Sequence, residues 1–105
     1  MNKIELNKLD LAISEAKKYA LKQIAGVPDN GGCNFDHVVV NIGRTMQKNI
    51  DAMVNEGWKD YRNKNYFHIS RSNVGQAIRQ TYYAEAMRDY LRDKGYDCYV
   101  HYQID

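Results

Sequence analysis

The sequence predicts an α+β fold, a two-layer sandwich in which helices cover one face of a three-stranded sheet. Three segments with apolar residues at helical spacing alternate with three short segments rich in β-branched and aromatic residues, which gives the order α-β-α-β-α-β. The strand segments alternate apolar with polar residues, and this pattern indicates that helices cover only one face of the sheet. The length of 105 residues suits one domain, so residues 1–105 are predicted to form a single domain.

Turn and capping residues bound the first two predicted helices. Residues 9–24 have apolar side chains every three or four positions, and Gly26 is predicted to stop this helix. Thr45 is predicted to cap a second helix that ends at Gly57, and the polar residues 59–65 are predicted to form a loop or a hairpin-like excursion. The apolar positions of the second helix are Met46, Ile50, Met53 and Val54.

The third predicted helix follows the junction at residues 70–76 and stops at Gly95. Asn73 can accept a hydrogen bond from the first turn while Gln76 reaches back to it, which is a capping box. Gly75 would then lie inside the first turn, where glycine destabilises a helix and therefore needs a reason. The core-facing positions are predicted to be Val74, Ala77, Ile78, Thr81, Ala84, Met87 and Leu91.

The pleat assigns a face to each strand residue, because successive side chains point to opposite sides of a sheet. The side chains predicted to face the helices are Val38, Val40, Ile42, Phe67, Ile69, Tyr96, Cys98, Val100, Tyr102 and Ile104. Those predicted to face away are His37, Val39, Asn41, Tyr66, His68, Ser70, Tyr99, His101 and Gln103. All three histidines of the protein are therefore predicted to project from the same uncovered face, one from each strand.

Composition excludes several classes of function. The 15 basic and 13 acidic side chains leave a net charge of +2, too small for a protein that binds duplex nucleic acid. The chain has no apolar run long enough for a signal peptide or a membrane span. Cys33 and Cys98 form no C-x-x-C pair and are expected to be reduced thiols in the cytoplasm. We expect no cofactor and no metal, because no metal-ligand spacing is present.

Two features of the sequence are candidates for binding. The uncovered face carries tyrosine and histidine, on which a nucleotide base can stack; the alternatives are a plain solvent-facing surface and an oligomer interface. The start of the third helix presents free backbone N–H groups beside Arg71 and Arg79, which suits an anion, although capping by Asn73 and Gln76 explains the junction without a ligand. The Walker A and dinucleotide-binding glycine patterns are absent, and no histidine, serine or cysteine has a complete set of catalytic partners.

Several short stretches carry a resemblance to known proteins. They are Gly31-Gly32-Cys33-Asn34-Phe35-Asp36, Gly75-x-x-x-Arg79 leading to Ala84-Glu85-Ala86, Gly95-Tyr96-Asp97, and the closing Tyr102-Gln103-x-Asp105. Together they are similar to a group of small proteins of phages, prophages and mobile elements in Gram-positive bacteria. The resemblance implies a phage accessory protein, for which two mechanisms are typical. Such a protein blocks a host defence protein by direct contact, or it sequesters a nucleotide messenger in an oligomeric pocket.

The sequence thus leads to the hypothesis of a non-enzymatic, homo-oligomeric binding protein in the host cytoplasm that sequesters an anionic, nucleotide-like ligand. The residues predicted to bind it are His68, Arg71, Ser72, Asn73, Gly75, Arg79, Tyr99 and His101. One alternative hypothesis is an inhibitor that contacts a bacterial defence complex through the same tyrosines. Another is a small nucleotide hydrolase with a histidine as general acid–base.

Overall fold

The computed structural model describes residues 1–32, 34–53, 56–75 and 77–103. Its elements along the chain are α1 (Lys3–Gln23), β1 (His37–Asn41), α2 (Gln47–Asp51), β2 (Gly57–Lys59), β3 (Tyr66–Ile69), α3 (Ala77–Asp93) and β4 (Cys98–His101). This confirms a fold of mixed helices and strands, α+β in class. The prediction of three strands is wrong, because β2 is a fourth strand within the described residues.

The four strands form one sheet in the order β2-β3-β1-β4, and every neighbouring pair is antiparallel. From β1 onward the element order β-α-β-β-α-β, with this strand order, is the ferredoxin-like arrangement. Helix α1 precedes that unit and packs against α3. The two central strands are therefore β1 and β3. Their residues that point away from the helices lie in the middle of the uncovered face of the sheet.

Helix α1 begins with a complete capping box. The Asn2 side chain accepts a hydrogen bond from the Glu5 backbone N–H, while the Glu5 carboxylate accepts one from the Asn2 backbone N–H. The helix ends at Gln23, three residues before Gly26, so the predicted stop lies slightly too far along the chain. Its buried residues are Leu6, Leu9, Ala12, Ile13, Ala16 and Ala20.

The second helix is shorter than predicted. Thr45 does not cap it, because the Thr45 hydroxyl donates to the Ile42 carbonyl at 3.0 Å, and α2 spans only the five residues Gln47–Asp51. Gly57 belongs to β2 instead of a helix end. It has a φ of +157°, and a Cβ at this position would lie 1.8 Å from the His68 carbonyl oxygen, so close pairing with β3 requires glycine. Val54, predicted as an apolar position of this helix, lies outside the described residues.

Helix α3 begins at Ala77, later than predicted, and its buried stripe is rotated accordingly. Ala84, Met87 and Leu91 are buried as predicted, but Ile78 is 44% exposed. The buried positions are Gln80, Tyr83, Ala84, Met87 and Leu91, a continuous stripe at intervals of three and four residues. The predicted stripe begins at Val74, which precedes the helix, and it therefore includes positions such as Ile78 on the neighbouring, exposed face of α3.

The hydrophobic core lies between the inward face of the sheet and the helices α1 and α3. The strand residues that enter it are Val38, Val40, Phe67, Ile69, Cys98 and Val100, all of which were predicted to face the helices. Tyr102 was also predicted to face inward, but it follows the end of β4 and is 56% exposed. Ile104 lies outside the described residues. None of the helices in the described part of the chain has both the length and the apolar character needed to cross a bilayer.

Candidate ligand-binding face

The side of the sheet that faces away from α1 and α3 is called the open face below. It is formed by His37, Val39, Asn41, Trp58, Tyr66, His68, Tyr99 and His101. Strand register brings the three histidines together, because His37 pairs with His101 and His68 pairs with both Val39 and Trp58. The ring centroid of His37 lies 5.0 Å from that of His68 and 5.2 Å from that of His101. The prediction that all three histidines share one face is confirmed.

Two of the histidines form a continuous hydrogen-bonded chain. His37 Nδ1 lies 2.7 Å from the Phe35 carbonyl oxygen, and His37 Nε2 lies 2.8 Å from His68 Nδ1. His68 Nε2 in turn lies 2.8 Å from Asp60 Oδ2. All four ring nitrogens of His37 and His68 are therefore engaged within the protein. In this arrangement neither ring has a nitrogen available to a ligand or a metal ion.

Asp60 is held rigidly at the end of this chain, in the turn after β2. Its other carboxylate oxygen, Oδ1, accepts hydrogen bonds from the backbone N–H groups of Arg62 at 2.7 Å and Asn63 at 3.0 Å. The hydrogen bond from His68, followed by these two backbone bonds, lowers the pKa of Asp60 to about 2. The carboxylate is therefore ionised throughout the neutral range and acts only as an acceptor.

His37 is buried, although it lies on the open face, because Trp58, His68 and His101 surround it. Burial is the largest influence on its pKa, and it lowers that pKa below the ordinary value. The hydrogen bond to the Phe35 carbonyl opposes this effect, while the neighbouring His68 and His101 reinforce it. Burial thus favours the neutral imidazole, and a neutral His37 that donates to the Phe35 carbonyl carries its proton on Nδ1.

Trp58, the only tryptophan of the protein, forms the outer part of this cluster. Its ring stacks on that of His68 with a centroid distance of 5.2 Å and an interplanar angle of 11°. The side chain is nevertheless 49% exposed. A large aromatic side chain is thus fixed in orientation and still accessible, which suits stacking with a planar ligand.

Arg71 lies at the edge of the same cluster. Its guanidinium carbon is 4.5 Å from the ring centroid of Phe35, and the residue is exposed. Among the described residues the Arg71 guanidinium donates no hydrogen bond, so its N–H groups can meet an anion. Arg71 borders a concavity of about 430 Å³ lined by Phe35, His37, Trp58, Ser70, Arg71 and Gln103. This volume lies within the range of small-molecule sites, roughly 300–1,000 Å³.

The predicted residues at the start of α3 are placed differently. Arg79 Nε donates to the Val74 carbonyl at 2.6 Å, and Arg79 Nη1 donates to the carbonyls of Ile24 and Val27, each at 2.7 Å. Arg79 therefore joins the segment after α1 to the segment before α3. These bonds occupy much of its capacity to bind an anion.

Gly75 precedes α3 by two residues, so the prediction that it lies within the first turn is wrong. It has a φ of +131°, and a Cβ here would lie 2.5 Å from Arg79 Cδ. Gly75 and Asn73 line a cavity next to Arg79, away from the histidines. The Ser72 hydroxyl accepts a hydrogen bond from Tyr83 at 3.2 Å. The predicted capping by Gln76 lies outside the described residues.

The predicted binding residues thus separate into two places. Arg71 borders the concavity, and His68, Tyr99 and His101 lie on the open face without lining that concavity. Asn73, Gly75 and Arg79 lie together at the start of α3. Sequence reasoning missed Trp58 and Asp60, which it assigned to the region around a helix end and a loop. The available signal was the tryptophan itself, an unusual residue for a polar loop, followed by Asp60-x-x-Asn63, a pattern typical of a side-chain-capped turn.

Neither a metal site nor a reactive cysteine is found among the described residues. No group of three or more histidine, cysteine, aspartate or glutamate side chains there is arranged to hold a metal ion. The Cys98 thiol is buried, and burial raises its pKa to about 11, which makes it a poor nucleophile. Cys33 lies outside the described residues. Comparison of the chain with protein-family models, curated proteins and solved structures finds no match, so the resemblance to phage proteins stays a prediction.

Proposed function

We propose that the protein is a non-enzymatic binding protein that holds an anionic, nucleotide-like ligand in the concavity of the open face. The observation that carries this proposal is the position of Trp58 and Arg71 on the wall of one concavity. The exposed indole offers a stacking surface to a base. The Arg71 guanidinium, which donates no hydrogen bond to another described residue, offers a fork of donors to a phosphate. Such a protein, if it acts in a phage accessory setting, would sequester a nucleotide messenger of the host.

The polar groups around the concavity support an anion more than a neutral ligand. Arg71 lies over Phe35 and has a permanent positive charge. Ser70 and Gln103 line the same wall and add hydroxyl and amide groups for hydrogen bonding. His101 is exposed on β4, and its ring nitrogens are further hydrogen-bonding groups on this face. The Asp60 carboxylate already has hydrogen-bond partners, which are His68 and the backbone N–H groups of Arg62 and Asn63.

Fluorescence of the single tryptophan provides a direct assay, because Trp58 lies in the proposed site. Adenosine and guanosine monophosphates, their 3′,5′-cyclic forms and cyclic dinucleotides would be titrated while Trp58 emission and binding heat are recorded. We expect Trp58→Leu to weaken binding about 5- to 100-fold, since stacking on an aromatic side chain is worth about 1–3 kcal/mol per base. The matched control is Tyr61→Leu, which removes an aromatic side chain that is 81% exposed and outside the concavity.

Arg71 has a matched control of its own kind. Arg62 also lies over an aromatic ring, with its guanidinium carbon 5.2 Å from the centroid of Tyr61, but it does not line the concavity. We expect Arg71→Gln to weaken binding about 10- to 100-fold, the loss of charge-assisted hydrogen bonds, and Arg62→Gln to change it less than about twofold. Absence of binding heat and of any change in Trp58 emission across the whole panel, with a folded protein, would overturn the proposal.

The hydrogen-bond chain on the open face favours binding over catalysis. Both nitrogens of His37 and of His68 have partners within the protein, so neither ring is poised to accept a proton from a substrate. His101 is exposed and, among the described residues, has no orienting hydrogen bond. The hydrolase alternative is tested by replacing each histidine with glutamine and following nucleotide hydrolysis; a loss of turnover on replacing His101 alone would favour that alternative.

A second candidate function is contact with a bacterial defence protein. The observation that favours it is the set of exposed aromatic residues on the open face and in the turn after β2: Trp58, Tyr61 and Tyr99. Aromatic residues of this kind often anchor protein interfaces. Affinity purification from a Gram-positive host separates the two proposals. A stoichiometric protein partner lost in Tyr99→Ala supports the second, whereas a nucleotide extracted from the purified protein supports the first.

A further inference from the structure

The hydrogen-bonded series that runs from the Phe35 carbonyl through His37 and His68 to Asp60 requires a fixed number of protons. The Phe35 carbonyl and the ionised Asp60 carboxylate can only accept hydrogen bonds. Each of the three hydrogen bonds, Phe35 to His37, His37 to His68 and His68 to Asp60, needs one proton from a ring nitrogen. Two neutral imidazoles carry two protons in total, so the complete chain contains one more. One of the two rings must therefore be an imidazolium.

The surroundings assign the additional proton to His68. His37 is buried and donates its Nδ1–H to Phe35, so its Nε2 is free to accept from His68 Nδ1–H. His68 then donates its Nε2–H to Asp60 Oδ2 and pairs directly with that carboxylate. The parallel Trp58 ring also stabilises a cationic imidazole through its π-face.

We propose that the open-face site contains a stored proton on His68, held between Asp60 and His37, and that loss of this proton weakens anion binding at the same site. The inference rests on the anion-binding function proposed above. With the proton in place, the charges of His68 and Asp60 cancel. Without it, Asp60 leaves one net negative charge next to His68, which contacts the lining residues His37 and Trp58, and an anion in the concavity is repelled.

Other charged and titratable groups surround the pair, and their contributions must be separated. They are Asp36 at the start of β1, Asp60 after β2, Tyr66 on β3, Arg71 after β3, and Tyr99 and His101 on β4. Burial raises the pKa of Tyr99, so this phenol stays neutral in the neutral range. The ring of the third histidine, His101, lies near the rings of both His37 and His68. The experiments therefore use a His101→Gln background, in which His37 and His68 are the only histidines.

Asp60→Asn is the informative variant, because it removes the need for the additional proton. The side-chain oxygen of the introduced asparagine can still accept from the backbone N–H groups of Arg62 and Asn63. Its amide N–H can donate to His68 Nε2, and His68 then satisfies His37 as a neutral ring protonated on Nδ1. Every hydrogen bond is kept while the charge pair is lost. The matched control is Asp97→Asn, which changes an exposed aspartate that lies just before β4 and accepts a hydrogen bond from the Asn41 amide.

The stored proton can be tested without any ligand. In ¹⁵N-labelled, ligand-free protein at about pH 7, we expect both ring nitrogens of His68 to be protonated and His37 to carry a proton only on Nδ1. A scalar coupling across the His68 Nδ1 to His37 Nε2 hydrogen bond would identify the pair. In Asp60→Asn, His68 should instead be neutral and protonated on Nδ1. A neutral His68 in the unsubstituted chain at this pH would overturn the proposal.

The coupling to anion binding is tested with 3′,5′-cyclic adenosine monophosphate, whose phosphodiester keeps one negative charge over the range studied. In the His101→Gln background we expect its affinity to fall about tenfold from about pH 6 to about pH 9. With Asp60→Asn added, the change over this range should be less than about twofold, and with Asp97→Asn added it should stay about tenfold. Equal pH dependence with and without Asp60 would overturn the coupling. No binding of any nucleotide of the panel at any pH would overturn the anion-binding function, while the NMR result still decides the stored proton.

Discussion

At the start of α3 the Arg79 guanidinium donates three hydrogen bonds to backbone carbonyls, whereas at the edge of the open face the Arg71 guanidinium lies over Phe35 and donates none within the described residues. Both arginines lie near the same helix start, and from local pattern alone they have equal standing as anion ligands. In the structure the two arginines make different contacts. Arg79 holds the segments after α1 and before α3 together, while Arg71 has unused donors beside an accessible concavity.

This difference separates structural polar groups from polar groups with capacity for a ligand. A donor already bonded to three carbonyls cannot turn to a ligand without leaving buried acceptors unsatisfied. A stacked but otherwise uncommitted guanidinium loses little when a phosphate approaches. Variants before α3 should therefore change stability and leave binding intact, and variants on the open face should do the reverse.

Arg79→Gln should have the largest effect on stability. It removes hydrogen bonds to the carbonyls of Val74, Ile24 and Val27, and loss of charge-assisted bonds that tie two segments costs about 3 kcal/mol. Urea unfolding followed by Trp58 emission measures the change, with Arg62→Gln as the control expected within about 0.5 kcal/mol of the unsubstituted protein. Weakened nucleotide binding by folded Arg79→Gln would contradict the distinction drawn between the two arginines.

Gly75→Ala tests the same region through the backbone. The φ of +131° is unfavourable for alanine, and the added Cβ would lie 2.5 Å from Arg79 Cδ and 2.9 Å from Asp29 Oδ1. We expect a loss of about 2 kcal/mol in the free energy of unfolding. Gly26→Ala is the control, because nothing lies within 4 Å of the new methyl group and we expect a change below about 0.5 kcal/mol. Equal effects at the two glycines would show that the close approach to Arg79 is unimportant.

The parts of the fold that follow from local patterns could be predicted from the sequence. Alternation in β3 and β4 places Phe67, Ile69 and Val100 inward and, with β1, brings the three histidines to one face. Strand β2 could not be predicted, because its three residues are too few to show a period. Its pairing depends on the contact between Gly57 and the backbone of β3, which is distant in the chain.

The candidate site, like the fold, has some features that local patterns predict and others that depend on contacts between residues distant in the chain. The face that carries the histidines comes from the pleat, a property of each strand alone. The partnership of His68 with Asp60 depends on the turn after β2. The structural use of Arg79 depends on carbonyls about fifty residues away in the chain, and no local pattern records such a contact. Residue types at a helix start therefore cannot distinguish an anion ligand from a tie between segments.

Trp58→Leu should reverse the pattern of the first two variants. The side chain is 49% exposed and its ring contacts are with His68 and His37, so we expect at most about 1 kcal/mol lost from the free energy of unfolding. The same variant should lose most nucleotide binding. Circular dichroism during urea unfolding replaces fluorescence as the measurement, since the variant has no tryptophan. A stability loss comparable to that of Arg79→Gln would show that Trp58 is chiefly a structural residue.

The smallest expected effect is a change of stability with acid, and it comes from Asp60. Its pKa is about 2 in the folded protein and ordinarily 3.8, so the unfolded chain binds more protons between these values. The stabilisation from its pairing with His68 is complete above about pH 4 and is lost as the pH falls towards 2. Between about pH 5 and about pH 3, the unsubstituted protein should therefore lose more stability than Asp60→Asn. Added salt should reduce this difference in stability loss, because the pair is partly exposed.

Asp97→Asn should follow the unsubstituted protein, since its partner is the neutral amide of Asn41. Parallel acid curves for the unsubstituted protein and Asp60→Asn would mean that Asp60 and His68 are not paired in solution, and the additional proton proposed for His68 would then have no carboxylate to hold it.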